Sequence, residues 1–316
     1  MLALVFPGQG SQYLGMGKDF FENCKEAKEL FERAEEISGI SVKKLCFEGP
    51  LSELTKTENL QVCLTVVNLA CYLAVKKFLK ELGIQPAFVA GHSLGEYSAL
   101  FAAGVLTLEE VLLAVKKRGE LMGKAGGDKP SAMYAIIGFD EKELEKLVSS
   151  AKGLVVISNY NSPAQLVISG EVPAVDEVAA LAKEKGARRV VKLKVSAGFH
   201  SPLMKEAEKE LASLLEGFNW KDAVTPFVSN VSGTPEKEAI KIKELMKKQI
   251  TSPVRWISCV KEMEKAGVKT FVELGPKKVL TGLIKQILPE KNISLYNVEN
   301  LETLQKFSQI LKNIQN

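Results

Sequence analysis

Ala87-Phe88-Val89-Ala90-Gly91-His92-Ser93-Leu94-Gly95 is the stretch whose reading decides the fold. Its first four residues are compact and apolar and read as a buried strand. The next five, Gly91 to Gly95, fit G-x-S-x-G. An Ala- and Leu-rich segment then runs as a helix to about Gly104. Strand, sharp turn and helix in that order are the setting of a nucleophile elbow. The glycines permit a strained turn, and the serine is held exposed at the carboxyl end of a sheet, at a helix N-terminus. The pentapeptide alone is a weak signal, because Gly and Ser are common turn residues. A plain strand-to-helix connection is the alternative.

Working outward, Leu2 to Phe6 is a second apolar strand, followed by the turn Pro7-Gly8-Gln9-Gly10-Ser11-Gln12. Neither GxxxxGK[ST] nor GxGxxG fits here, so a phosphate cradle is unsupported. Asp19 to Ser38 reads as an amphipathic helix and Asn59 to Leu82 as a long, largely buried one. Thr107 opens another helix, with Glu110 completing a capping box, and this helix runs to about Met122. Gly126-Gly127-Asp128-Lys129-Pro130 breaks the chain.

Beyond that break the pattern changes. Ala132–Ile137, Leu154–Ser158, Gln165–Ser169 and Arg189–Val195 read as strands, and 140–151 and 172–185 as helices. The order βαββαβ is that of a ferredoxin-like unit. Strands alternating with helices resume afterwards: strands near Pro226–Asn230, at Lys269–Leu274 and at Ile293–Val298, with helices between and after them. That indicates a mostly parallel, helix-covered sheet. The expectation is a large α/β domain of residues 1–128 and 197–316, with residues 129–196 as an inserted ferredoxin-like small domain.

Composition fits this reading. The chain has 316 residues, 46% hydrophobic and 25% charged, with a formal charge of +4. These values exclude a disordered chain or a disulfide-stapled scaffold, and the charge gives no footprint for nucleic acid. Five cysteines and two histidines, without a CxxC pair, argue against a metal site and for reduced thiols in a cytoplasmic protein. The N-terminus lacks a basic segment ahead of its apolar run, so it does not read as a signal peptide. No uninterrupted apolar run of about 18 residues predicts a membrane span.

A serine hydroxyl needs a base. His92 adjoins Ser93, and neighbours on an elbow point apart. His200, in Ala197-Gly198-Phe199-His200-Ser201-Pro202, lies in a turn just before a helix and is the better candidate. Asp128, Asp140, Asp176 and Asp222 sit at a loop, at helix starts or at solvated positions, so a dyad is favoured over a triad. Val111, Val115, Arg118 and Met122 are spaced to share one helix face. Arg118 therefore points inward, where a guanidinium needs an anionic partner. That partner is either an internal carboxylate or a substrate carboxylate beside Ser93. Gln9 is either a solvated turn residue or a donor into a cleft.

The motifs also occur in a familiar order: Phe6-Pro7-Gly8-Gln9-Gly10-Ser11-Gln12, Gly91-His92-Ser93-Leu94-Gly95-Glu96-Tyr97, Arg118-Gly119, Asn161-Ser162-Pro163, Gly198-Phe199-His200-Ser201, Gln249 with Pro253-Val254, and Glu273-Leu274-Gly275-Pro276. This resembles the malonyl-CoA:acyl carrier protein transacylases of fatty acid synthesis and the acyltransferase domains of polyketide synthases, from about residue 2 to residue 290. The resemblance implies an α/β-hydrolase-like large domain, an inserted ferredoxin-like domain and a site between them. It implies Ser93 as nucleophile, His200 as base, and Leu94 N–H with a donor at Gln9 as the oxyanion hole. Arg118 would meet the malonyl carboxylate, and a main-chain carbonyl near Gln249 would orient His200. Phe199 and Leu94 resemble the malonyl-selective members. Lys277 departs from the pattern, where a glycine often follows the Pro.

The implied reaction carries malonyl from a coenzyme A thioester to the phosphopantetheine thiol of acyl carrier protein. It needs no cofactor, metal, nucleic acid or membrane, and a monomer is expected. The competing readings are a serine esterase or thioesterase, which predicts an acid on His200, and a carrier-docking protein with a vestigial site.

Overall fold

The computed structural model describes residues 1–125, 130–195 and 197–315. In chain order the elements are β1 (Leu2–Phe6), α1 (Lys18–Asn23), α2 (Lys25–Ser38), α3 (Val42–Phe47), α4 (Leu51–Leu54), α5 (Thr57–Glu81), β2 (Phe88–Gly91), α6 (Gly95–Ala102) and α7 (Leu108–Ala125). There follow β3 (Ser131–Ile137), α8 (Glu141–Ser150), β4 (Val155–Ser162), β5 (Gln165–Glu171), α9 (Val172–Glu184) and β6 (Arg189–Lys192). A short 3-10 turn (Pro202–Met204) leads into α10 (Lys205–Glu216), β7 (Phe227–Val228), β8 (Pro235–Glu236), α11 (Ala239–Lys247), α12 (Trp256–Lys265), β9 (Thr270–Leu274), α13 (Val279–Ile287), β10 (Ser294–Val298) and α14 (Leu301–Gln315).

One sheet has the order β10-β9-β1-β2-β7-β8, parallel except at the β7–β8 edge. β1 is buried on both faces, which is why it is apolar throughout. Leu2, Leu4 and Phe6 join the core with α5 and α7, while Ala3 and Val5 face the core of α12 and α13. The chain leaves β1 for β2 on one side and later returns as β9 on the other. The carboxyl ends of β1 and β2 thus lie at a switch point, where parallel α/β sheets bind ligands.

The second sheet has the order β4-β5-β3-β6, with every neighbouring pair antiparallel, in the ferredoxin-like arrangement. Ile136, Leu166 and Ile168 pack on α8 and α9. Met133, Ala135 and Val167 point the other way and line a cavity against the first sheet. The two sheets are tied by Val254, whose N–H donates to Ser158 O at 2.8 Å and whose O accepts from Tyr160 N at 2.9 Å.

The structure corrects several element boundaries. Asp19–Ser38 is two helices, broken at Cys24, which is extended at φ −123° and ψ 116°. Neither Gly nor Pro marks that break, so the apolar spacing reads through it. β6 ends at Lys192 rather than Val195, although Leu193 N still donates to Met133 O at 2.9 Å. The short α3, α4 and β8 were not anticipated, being too brief to show a period. α5, 25 residues long, is apolar enough to cross a membrane by length and composition, although Gln61, Thr65 and Asn68 interrupt its apolar run. Here it is a core helix, packed on α2 and α7. All five cysteines are free, four of them buried and Cys24 half-buried. The chain break at 126–130 and the domain limits at 128/129 and 196/197 fall on or beside residues outside those described.

Candidate active site

Phe6 pairs with Gly91 in register, so the turns after β1 and β2 lie side by side. Their contact is close. A Cβ on Gly95 would sit 2.1 Å from Phe6 O, and one on Gly91 would sit 1.9 Å from the Gly95 carbonyl carbon. Only glycine fits either place. Ser93 between them is held at φ 51°, in the left-handed region that side chains other than glycine rarely adopt. Asn230, just past β7, secures the turn: its Oδ1 accepts from Ser93 N at 2.7 Å and its Nδ2 donates to Gly91 O at 2.7 Å.

Ser93 Oγ and His200 Nε2 are 2.7 Å apart. His200, itself at φ 54°, is buried. Its Nδ1 lies 3.1 Å from Gln249 O and 3.0 Å from Ser252 O. A carbonyl only accepts, so Nδ1 carries the proton and Nε2 is free to accept from the serine. Burial, with help from Arg118, pushes the imidazole down to about 3, so the ring is neutral at working pH. No carboxylate bonds to His200 among the described residues. Asp140 caps α8, Asp176 accepts from Tyr134 and Asp222 accepts from Ala239 N; Asp128 lies outside the described residues.

His92 points away, with Nε2 on Asn161 Oδ1 at 2.7 Å and its ring edge-on to Trp256. Arg118, on α7, is 1% exposed. Its Nη2 donates to Ser93 Oγ at 3.0 Å, Nε and Nη2 to Gln249 Oε1 at 3.2 and 3.1 Å, and Nη1 to Gln61 Oε1 at 2.8 Å. The guanidinium also lies over the Tyr97 ring, 5.7 Å from its centre. None of these partners is anionic, so the internal ion pair allowed by the sequence is absent among the described residues. Burial pulls the Arg118 pKa down from its ordinary value, while Tyr97 and Glu96 oppose the shift.

A cavity of about 390 Å³ opens over these groups, lined by Gln9, Ser93, Leu94, Arg118, Phe199 and His200 with residues of the second sheet. Among the described residues, neither Leu94 N–H nor Gln9 N–H has a partner. The site thus presents a hydroxyl on a neutral imidazole, two free backbone donors and a buried cation around one enclosed space.

The chain matches the acyl transferase domain family over residues 3–308. The malonyl CoA-acyl carrier protein transacylase of Bacillus subtilis (strain 168) is 43% identical over 314 residues, 98% of this chain and 97% of that protein. The crystal structure of an acyl carrier protein S-malonyltransferase from Vibrio cholerae superposes with a TM-score of 0.91 at 39% identity, covering 97% of this chain and 99% of that one. The chain belongs to the malonyl-CoA:acyl carrier protein transacylase family. A type II PKS acyl-carrier protein in complex with its malonyl-transacylase contains a chain that is likewise similar, with a TM-score of 0.91, 36% identity and coverage of 98% of this chain and 99% of that one.

This acyltransferase brings together all six residues singled out in the sequence: Gln9, Ser93, Leu94, Arg118, His200 and Gln249. Three further side chains escaped notice. Glu96, fully buried, accepts from Asn230 N at 2.7 Å and from Gln249 Nε2 at 2.9 Å. Burial raises its carboxyl to about 7. Gln61 and Asn230 hold Arg118 and the elbow. Each left a faint signal: Glu96 and Gln61 are polar residues inside apolar helices, and Asn230 follows a strand at its carboxyl end.

Proposed function

We propose that this enzyme moves malonyl from coenzyme A to acyl carrier protein through an ester on Ser93. One observation carries the reading: a Ser–His pair at 2.7 Å shares its cavity with a buried guanidinium that has no internal carboxylate. His200 Nε2 takes the Ser93 proton as Oγ attacks the thioester carbonyl. Gln249 O and Ser252 O hold the imidazolium that forms, doing the orienting work of a triad acid. Leu94 N–H and Gln9 N–H stabilise the oxyanion. His200 then protonates the departing coenzyme A thiolate. The phosphopantetheine thiol of the carrier repeats these steps in reverse order, and the serine is regenerated.

Arg118 pairs with the malonyl carboxylate through its planar fork. An acetyl group would leave that charge unpaired, which sets selectivity. The reaction draws on side chains, backbone amides and the thioester itself, without a cofactor. Similarity to a transacylase captured with its carrier supports the carrier as partner. Free cysteines support a reducing, cytoplasmic setting. The break in pattern near residue 129 and the separate second sheet support division into residues 1–128 with 197–316, and 129–196. The test is discharge of the purified malonyl-enzyme. Transfer to carrier thiol faster than release of free malonate is expected; the reverse marks an esterase.

A further inference from the structure

The Arg118 charge is balanced indirectly. Its four hydrogen bonds go to neutral oxygens, on Gln249, Gln61 and Ser93. The buried carboxylate of Glu96 is reached through one amide: Gln249 Oε1 accepts from the guanidinium, and Gln249 Nε2 donates to Glu96 Oε2 at 2.9 Å and to Ser93 O at 2.7 Å. Arginine can only donate, and both Glu96 oxygens accept here, Oε1 from Asn230 N and Oε2 from Gln249 Nε2. An amide placed between them has a single satisfied orientation. Glu96, together with Ser93 O, therefore holds the Nε2 end of Gln249 away from Arg118 and its Oε1 end toward it.

The arrangement has a consequence for the acyl group. A carboxylate set directly on Arg118 would occupy the fork that a substrate carboxylate needs. With Glu96 one amide away, the cation is compensated while one Nη1 N–H stays unpaired among the described residues, and the Nη2 N–H on Ser93 Oγ can be released when that oxygen becomes an ester. We propose that Glu96 is a positioning residue for acyl selectivity: by fixing the Gln249 amide it holds the Arg118 guanidinium oriented and open toward the carboxylate of the incoming acyl group. This rests on the malonyl-clamp reading above. Glu96 also supports the elbow, because its Oε1 accepts from Asn230 N at 2.7 Å. Its loss therefore lowers reaction with every donor by a shared factor, and the selectivity role shows in the ratio between donors.

The test is single-turnover acylation of Ser93 by malonyl-CoA and by acetyl-CoA, followed by intact mass, in wild type, Glu96→Gln, Arg118→Ala and the double variant. A glutamine at 96 offers one oxygen and one NH₂ to two donors, so either Asn230 or Gln249 loses its acceptor. The malonyl-to-acetyl rate ratio is expected to fall roughly 5- to 100-fold in Glu96→Gln, the cost of one unpaired buried group. In the Arg118→Ala background the same change should leave the ratio where Arg118→Ala puts it. A Glu96→Gln enzyme that loses both donors equally, or keeps the wild-type ratio, overturns the proposal. Should Glu96→Gln fail to fold, Gln249→Met cuts the same relay from its other end, and an unchanged ratio there is equally fatal. The underlying reading is judged separately: it fails if wild type does not acylate with malonyl or if Arg118→Ala keeps the malonyl preference.

Discussion

Arg118 Nη2 donates to Ser93 Oγ across 3.0 Å, so the buried cation touches the serine hydroxyl before any acyl group arrives. Once the oxygen is esterified it is a poorer acceptor, and the same N–H is available to a carboxylate two carbons away. Arg118→Ala is predicted to lose malonyl transfer by roughly 30- to 5,000-fold, the range for truncating one side of a buried charge pair, about 2–5 kcal/mol. Acetyl transfer should be retained or improve. Arg118→Lys should recover only part of the malonyl activity, because an ammonium lacks the two-pronged contact. Rates with both donors, with folding checked by circular dichroism, decide it. Equal loss with both donors in a folded variant assigns Arg118 a structural role instead.

The second prediction concerns pH. A general base works only while unprotonated. An ordinary histidine titrates near about 6.5 and its reaction falls with pH below that. His200 is pushed down to about 3, first by burial and then by Arg118. The sign follows: a lowered pKa keeps the base competent as the solution turns acid. In Glu96→Gln, which removes the neighbouring carboxyl that burial raises to about 7, Ser93 acylation by acetyl-CoA should stay flat from pH 8 to about 5. A fall centred on the ordinary histidine value would show that His200 is exposed during turnover.

Elements with long, regular patterns were legible in the sequence, as were residues whose chemistry is tied to a turn. The elbow could be read because Gly91 and Gly95 are places where no side chain fits. The inward face of α7 showed Arg118 as buried, but not what it meets. Its partners Gln61 and Gln249 lie 57 residues before it and 131 after it, a separation that no local pattern spans. Glu96 stood in plain view beside the serine. Its role depends on Asn230 and Gln249 arriving from other elements. The break at Cys24 was invisible because the apolar spacing continues across it.

A third prediction addresses the carrier. Arg188, Arg189, Lys192, Lys194, Lys277 and Lys278 are exposed. Lys192 and Lys194 flank Leu193, and Lys278 precedes Val279, so both rims of the cavity carry cations. If they receive an acidic carrier, charge reversal at Lys192, Lys194 and Lys278 should slow transfer to carrier and spare acylation by malonyl-CoA. Electrostatic steering of this kind acts on the association rate and weakens with salt. Equal loss in the two half-reactions would remove the docking role.

A fourth prediction is about stability. Lys277, a departure from the pattern of the family the sequence resembles, is held at φ 63°. A side chain there costs about 1–2 kcal/mol, partly offset by the hydrogen bond from Lys277 N to Glu299 Oε2 at 2.8 Å, which any residue but proline retains. Lys277→Gly should be at least as stable as wild type in urea, whereas Lys277→Val, β-branched, should be less stable by about 1–2 kcal/mol. A glycine variant less stable than wild type would mean that the lysine side chain contributes more than its backbone strain costs.

The central claim is that Ser93 carries the acyl group, and intact mass with peptide mapping after mixing with malonyl-CoA tests it most directly. Wild type should gain one malonyl group on Ser93, Ser93→Ala should gain none, and His200→Ala should gain it about 10²–10⁴-fold more slowly. An adduct on one of the five cysteines, or one that survives in Ser93→Ala, would contradict the account.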